Sequence, residues 1–111
     1  MKLFFKVANK TLIVSIAGEI DHHTSETIRE RIDNQIDNNP IKNIIFDFNG
    51  VNFMDSAGIG VIIGRYKKVS ELGGKLAVAN VSMQVKKIME ISGILRIVKL
   101  YDSIDKALLN M

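Results

Sequence analysis

IKNIIFDFNGVNFMDSAGIGVIIGRYKKVSELGGKLAVAN, residues 41–80, decides the fold. The run 41–48 follows Pro40, the chain's single proline, and has the short, bulky, apolar character of a buried strand. A loop, NGVNFMD, comes next. Residues 56–72 then place Ile59, Ile62, Ile63, Tyr66 and Val69 at helical spacing, and Gly73-Gly74 supplies a left-handed stop. KLAVAN (75–80) is a second strand. Strand, helix and strand in succession call for a parallel pair with a helical crossover.

The same alternation continues in both directions. Residues 2–8 and 11–17 are β-branched and aromatic runs separated by Asn9 and Lys10, which predicts a β-hairpin. From Thr24 to about Asp37, Ile28, Ile32 and Ile36 recur every fourth residue among charged side chains, the mark of an amphipathic helix with Thr24 as its N-cap. Downstream, Ser82 caps a helix carrying Val85, Ile88 and Met89 that stops near Gly93; RIVKLY (96–101) is a strand and 102–111 a final helix. The expectation is an α/β fold: a mixed, mostly parallel sheet of about five strands with an N-terminal hairpin and about four helices. Residues 1–111 are expected to form one domain.

Composition narrows the function classes. With 47% hydrophobic and 24% charged residues the chain can bury a core without staples, and the absence of cysteine removes disulfides and thiolate metal sites. No apolar stretch reaches the roughly 20 residues of a membrane span, so a soluble, cytoplasmic protein is expected. The net charge of +3 is spread along the chain; Arg65, Lys67, Lys68, Lys86 and Lys87 read as solvated helix faces, not a nucleic-acid surface.

In a largely parallel sheet, sites gather where strands end and helices begin. Two loops qualify, GEIDHHT after the second strand and NFMDSAGIG after the third. Ser56 stands where an N-cap belongs, and capping alone, at about 1 kcal/mol, would account for it. Gly58 and Gly60 fit that reading poorly, since glycine in a first turn costs about 1 kcal/mol relative to alanine. Without side chains there, a partner's backbone can approach, so Asp55, Ser56, Ala57, Gly58, Ile59 and Gly60 form a candidate docking surface. A helix N-terminus also tolerates phosphate, because free amides point outward along the positive end of the macrodipole. His22-His23, with Glu19 and Asp21 nearby, lacks the further ligands of a familiar metal spacing, and is read as loop lining the partner surface. A hydrolase triad of Asp21, a histidine and Ser56 would need glycine where Met54 stands. A receiver domain using Asp47 or Asp55 lacks the acidic pair after a first parallel strand.

FMDSAGIGVIIGRYK, with GEIDHHTSETIRERI upstream and GGKLAVANVSMQVKKIMEISGI downstream, resembles the STAS domain of anti-sigma factor antagonists, in particular those of endospore-forming bacteria. DHHT (21–24) and MDSAGIG (54–60) are specific in combination. The resemblance implies a protein without catalytic activity or cofactor that binds an anti-sigma factor serine kinase and so frees a sigma factor. It implies phosphorylation of Ser56 by that kinase, reversal by a phosphoserine phosphatase, and a supporting role for Asp21. The family often has serine after the acceptor; Ala57 here removes that alternative. Asp21, His22, His23 and Thr24 join residues 55–60 as expected partner contacts, with no nucleic acid and no membrane involved. The free protein is expected to be monomeric. The alternative from another class is a binding module of a stress-signalling assembly or a small-ligand sensor.

Overall fold

The computed structural model describes residues Met1–Met111. In chain order it contains β1 (Lys2–Ala8), β2 (Thr11–Ile20), α1 (Ser25–Asn38), β3 (Asn43–Met54), α2 (Ser56–Glu71), β4 (Leu76–Ala79), α3 (Met83–Ser92), a 3-10 turn (Ile94–Arg96), β5 (Lys99–Tyr101) and α4 (Ile104–Leu108). The strands form one sheet in the order β1-β2-β3-β4-β5. β1 and β2 are antiparallel; the remaining neighbours are parallel. No helix is long and apolar enough to cross a membrane.

The hairpin turn is tight because Asn9 (φ 48°) and Lys10 (φ 65°) both take the left-handed conformation, the one that matches the twist of the flanking strands. Lys10 O then accepts from the amides of Lys42 and Asn43 at 2.7 and 3.1 Å, which ties the turn to the start of β3. Alternation along the strands separates two cores. Leu12, Val14, Ile16, Ile44, Phe46, Phe48, Leu76 and Val78 face α1, α2 and α3, meeting the Ile28-Ile32-Ile36 stripe, Ile62, Val69 and Met89. On the other face Ile13, Ile45, Ala77 and Ala79 are covered by α4 through Ala107. Two faces of very different cover therefore share one sheet.

Four elements depart from the sequence reading by more than one residue. β2 runs to Ile20 and β3 runs on to Met54, through the polar NGVN that reads as loop. Here β3 pairs with β2 through two register shifts, so that Ser15 faces Asp47 while Ala17 faces Gly50 and Glu19 faces Phe53. A bulge of this kind leaves a residue out of the ladder, and its backbone can stay in the strand where a side chain supplies the missing partner. Asp47 is one such partner: its carboxylate accepts from the Asn49 amide (3.1 Å), the Asn80 side chain (3.0 Å) and the Ser15 hydroxyl (3.1 Å). At the other end of the chain, residues 96–101 split into the 3-10 turn and a strand of three residues, and α4 is shorter than the expected 102–111. The Gly73 stop is as expected, with φ 76° and the Gly74 amide closing on Val69 O at 2.7 Å.

Arg65 is not on a solvated face. It is 7% exposed between α1 and α2, with Nε 3.1 Å from Asp33 Oδ1, close enough for an ion pair but turned out of hydrogen-bond alignment. Lys68 extends the contact to Asp33 and Asp37 at 3.5 and 3.7 Å. Burial pushes the Arg65 pKa down; the Asp33 charge opposes this and Arg29 adds to it. The pair joins the two helices whose N-termini carry the candidate loops.

Candidate functional site

The parallel pairing of β2 with β3 sets the site. Ile20 lies opposite Met54, and the Asp55 amide donates to Ile20 O at 3.2 Å. The strands thus end side by side, and the loops beginning at Asp21 and at Asp55 leave from adjacent positions. The structure brings the two motifs together at the carboxyl end of the sheet.

In the first loop Thr24 stands at the N-cap position of α1, as expected, but the side chain that holds the preceding turn is that of Asp21. Asp21 Oδ1 accepts from the amides of His23 (2.9 Å) and Thr24 (3.0 Å), while Thr24 Oγ1 accepts from the Asp21 amide (3.1 Å). The exchange has the reciprocal form of a capping box, set in the turn that leads into α1. The Thr24 hydroxyl in turn donates to Glu19 O at 2.9 Å. The Thr24 side chain makes no cap bond to α1. For the Asp21 carboxyl, desolvation pushes the pKa up, but the Thr24 and His23 amides, the His23 charge and the Thr24 hydroxyl together hold it below the ordinary value. His22 and His23 do not point apart as adjacent side chains in an extended loop would; both are exposed and their rings meet at 3.9 Å, tilted by 39°. No group of three or more His, Cys, Asp or Glu side chains is placed to hold a metal ion.

In the second loop Asp55 takes the capping role expected of Ser56. It sits outside the helix with φ −113° and ψ −167°, and its Oδ1 accepts from the Ala57 amide at 2.9 Å. Asp55 O accepts from Gly58 and Ile59 at 3.0 and 3.4 Å. Ser56 is the first residue of α2, exposed, and its hydroxyl has no partner within the chain. Asp55 and Ala57 are half-buried and Gly60 is exposed, with open space where a Cβ would be.

Two expected partner contacts point the other way. Gly58 is buried, and a Cβ there would lie 2.2 Å from Met54 Cγ and 3.1 Å from Ile20 Cγ2. Its glycine serves the close approach of α2 to the ends of β2 and β3, not an open docking surface. Ile59 is 7% exposed, with its side chain in the core. Phe53, in the stretch that reads as loop but continues β3, is 42% exposed. With Met54, Gln84, Lys87, Ile88 and Ile91 it lines an apolar groove of about 200 Å³ between the end of β3 and α3. A helical 84, 87, 88, 91 spacing was the available signal.

Comparison with known proteins agrees with the fold. Residues 4–107 match the STAS domain. The chain belongs to the STAS domain family. Among STAS proteins, the anti-sigma F factor antagonist of Paenibacillus polymyxa is 40% identical over 92 residues, which cover 83% of this chain and 79% of that one. The solved anti-sigma factor antagonist SpoIIAA in its unphosphorylated form is similar with a TM-score of 0.84 and 28% identity, over 96% of this chain and 93% of that one. The Bacillus cell fate determinant SpoIIAA in its phosphorylated form is similar with a TM-score of 0.75 and 27% identity, over 98% of each chain.

Proposed function

We propose that this STAS protein is an anti-sigma factor antagonist whose switch is phosphorylation of Ser56. Unphosphorylated, it binds an anti-sigma factor that is a serine kinase, and a sigma factor is released to act in sporulation transcription; phosphorylated, it lets go, and a phosphoserine phosphatase restores it. The observation that carries this reading is the free, exposed Ser56 hydroxyl at the start of α2, beside the DHHT loop. That relatives at this level of similarity are named antagonists, and that SpoIIAA is solved in a phosphorylated form, supports it. In the reaction the Ser56 oxygen forms a bond to the γ-phosphorus of ATP, the bond to the β-phosphate oxygen breaks, ADP leaves, and the hydroxyl proton passes to a base of the kinase. Asp55 and Asp21 are engaged with backbone amides, which suits orienting groups and not that base.

A phosphoryl group of about two negative charges beside Asp55 would oppose a packed or acidic partner surface. Each ~1.4 kcal/mol of that opposition is tenfold in affinity. Incubation with the cognate anti-sigma factor kinase and ATP, followed by a peptide map, tests the reading: phosphate is expected on Ser56, and an unmodified Ser56 overturns it. Ser56→Asp is expected to weaken kinase binding with an unchanged circular dichroism spectrum.

A small-ligand sensor is the second reading. It draws on a cleft of about 300 Å³ lined by Tyr66, Lys75, Lys99 and Tyr101, among others. A melting screen against small anions and aromatic acids tests it.

A further inference from the structure

A phosphate on the first residue of a helix ordinarily turns back onto the free amides of the first turn, which neutralise part of its charge. Here the amides that follow Ser56 are taken. Ala57 N–H donates to Asp55 Oδ1 at 2.9 Å, and the Gly58 and Ile59 amides go to Asp55 O. In the turn that precedes α1, Asp21 Oδ1 likewise holds the amides of His23 and Thr24, and Asp21 O holds that of Ser25. Asp55 cannot easily step aside. Its own amide is bound to Ile20 O at 3.2 Å, and Gly58 is pressed against Met54 and Ile20 with no space for a methyl group.

We infer that Asp55 bars the phosphoryl group of Ser56 from its own helix, so that the phosphate stays outside the first turn and presents its charge to the partner. This rests on the phosphorylation of Ser56 proposed above, and deepens it by naming what keeps the phosphate available to repel. The capping carboxylate and the phosphate are two anions competing for the Ala57 amide, while the Gly58 and Ile59 amides are held by the Asp55 main-chain carbonyl. The other charged or titratable groups around this end are Glu19 near the end of β2, Asp21, His22 and His23 on the loop that follows, and Lys87 on α3, in the groove that Met54 also lines. None of them bonds to Ser56, so the barrier is set on α2 itself.

The test needs no kinase. Phosphoserine is installed genetically at position 56 in the wild-type protein, in Asp55→Asn and in Asp55→Ala, and the ³¹P resonance is titrated. A neighbouring carboxylate disfavours the second ionisation of the phosphate, so the wild-type midpoint should lie above that of Asp55→Asn by about half a pH unit. His22 and His23 are common to both proteins, so their protonation cancels in the difference. The second readout is the change in Tm on phosphorylation. It should be zero or negative in the wild type and positive in Asp55→Ala, where the phosphate moves onto the vacated Ala57 amide. Equal midpoints overturn the inference, as does a phosphate that raises the Tm of the wild type as much as that of Asp55→Ala. Should Asp55→Ala not fold, the Asp55→Asn titration decides alone. Failure of the kinase to modify Ser56 would instead strike the functional proposal and leave these measurements standing.

Discussion

The two helix starts at the carboxyl end of the sheet are built from similar parts and treat their hydroxyls in opposite ways. At α1, Asp21 and Thr24 cap one another, and the Thr24 hydroxyl both accepts from Asp21 N and donates to Glu19 O. Ser25 beside it is 4% exposed. At α2, Asp55 does the capping alone, and Ser56 is left exposed with its hydroxyl unpartnered. A phosphoryl acceptor must reach a kinase and give up a proton, which a hydroxyl holding the start of a helix can do only by releasing that structure. On the proposed function, the start of α2 presents the acceptor, whereas the hydroxyl at α1 is held within its own loop.

The comparison is broken most directly by exchanging acceptors. Ser56→Ala should abolish phosphate incorporation by the kinase and leave the Tm nearly unchanged, because Ser56 is not the cap; Thr24→Val should retain incorporation. Phosphate appearing on Thr24 or Ser25 in intact-protein and peptide mass measurements would contradict the division of roles.

The next largest effect concerns the seat of α2. Gly58→Ala forces a methyl into Met54 and Ile20, and overpacking of this order destabilises by about 1–3 kcal/mol in denaturant unfolding. Gly60→Ala, where a Cβ meets open space, should instead stabilise by up to about 1 kcal/mol through helix propensity. Similar losses at both positions would mean that α2 does not sit on the strand ends as described.

Removing the α2 cap with Asp55→Ala should lower stability by about 1 kcal/mol, well within reach of urea titration. At α1 the effect is one of pH. Asp21 has a folded pKa below its ordinary value of 3.8, so its contribution is complete above that value and is lost as the pH falls through the folded one. Acid melting curves should therefore show wild-type Tm declining below about pH 4 relative to Asp21→Asn; parallel curves would show that the amide bonds to Asp21 do not hold its charge.

Much of the fold was legible because it follows from periodicity. The isoleucines of α1 at every fourth position, the apolar run before the DSAG segment and the Gly73 stop are local signals, and each element they announce is present. The boundaries that moved are those where backbone partners come from distant residues. NGVN is polar and turn-rich, yet it is strand because β2 lies alongside and Asp47 takes up the amide of Asn49. Arg65 looked like part of a basic helix face because its partner, Asp33, is on another helix.

The sequence by itself determined the order of strands and helices, the placement of Ser56 at the junction of β3 and α2, and the family to which the chain belongs. Those follow from side-chain patterning and from residues that are neighbours along the chain. Only the tertiary structure decided that Asp55 and not Ser56 is the cap, that Gly58 serves packing while Gly60 is open, and that the Thr24 hydroxyl is occupied. The physical reason is competition: each hydroxyl, amide and carboxylate takes the partner that the folded chain places nearest, and that partner is chosen by where β2 and β3 end.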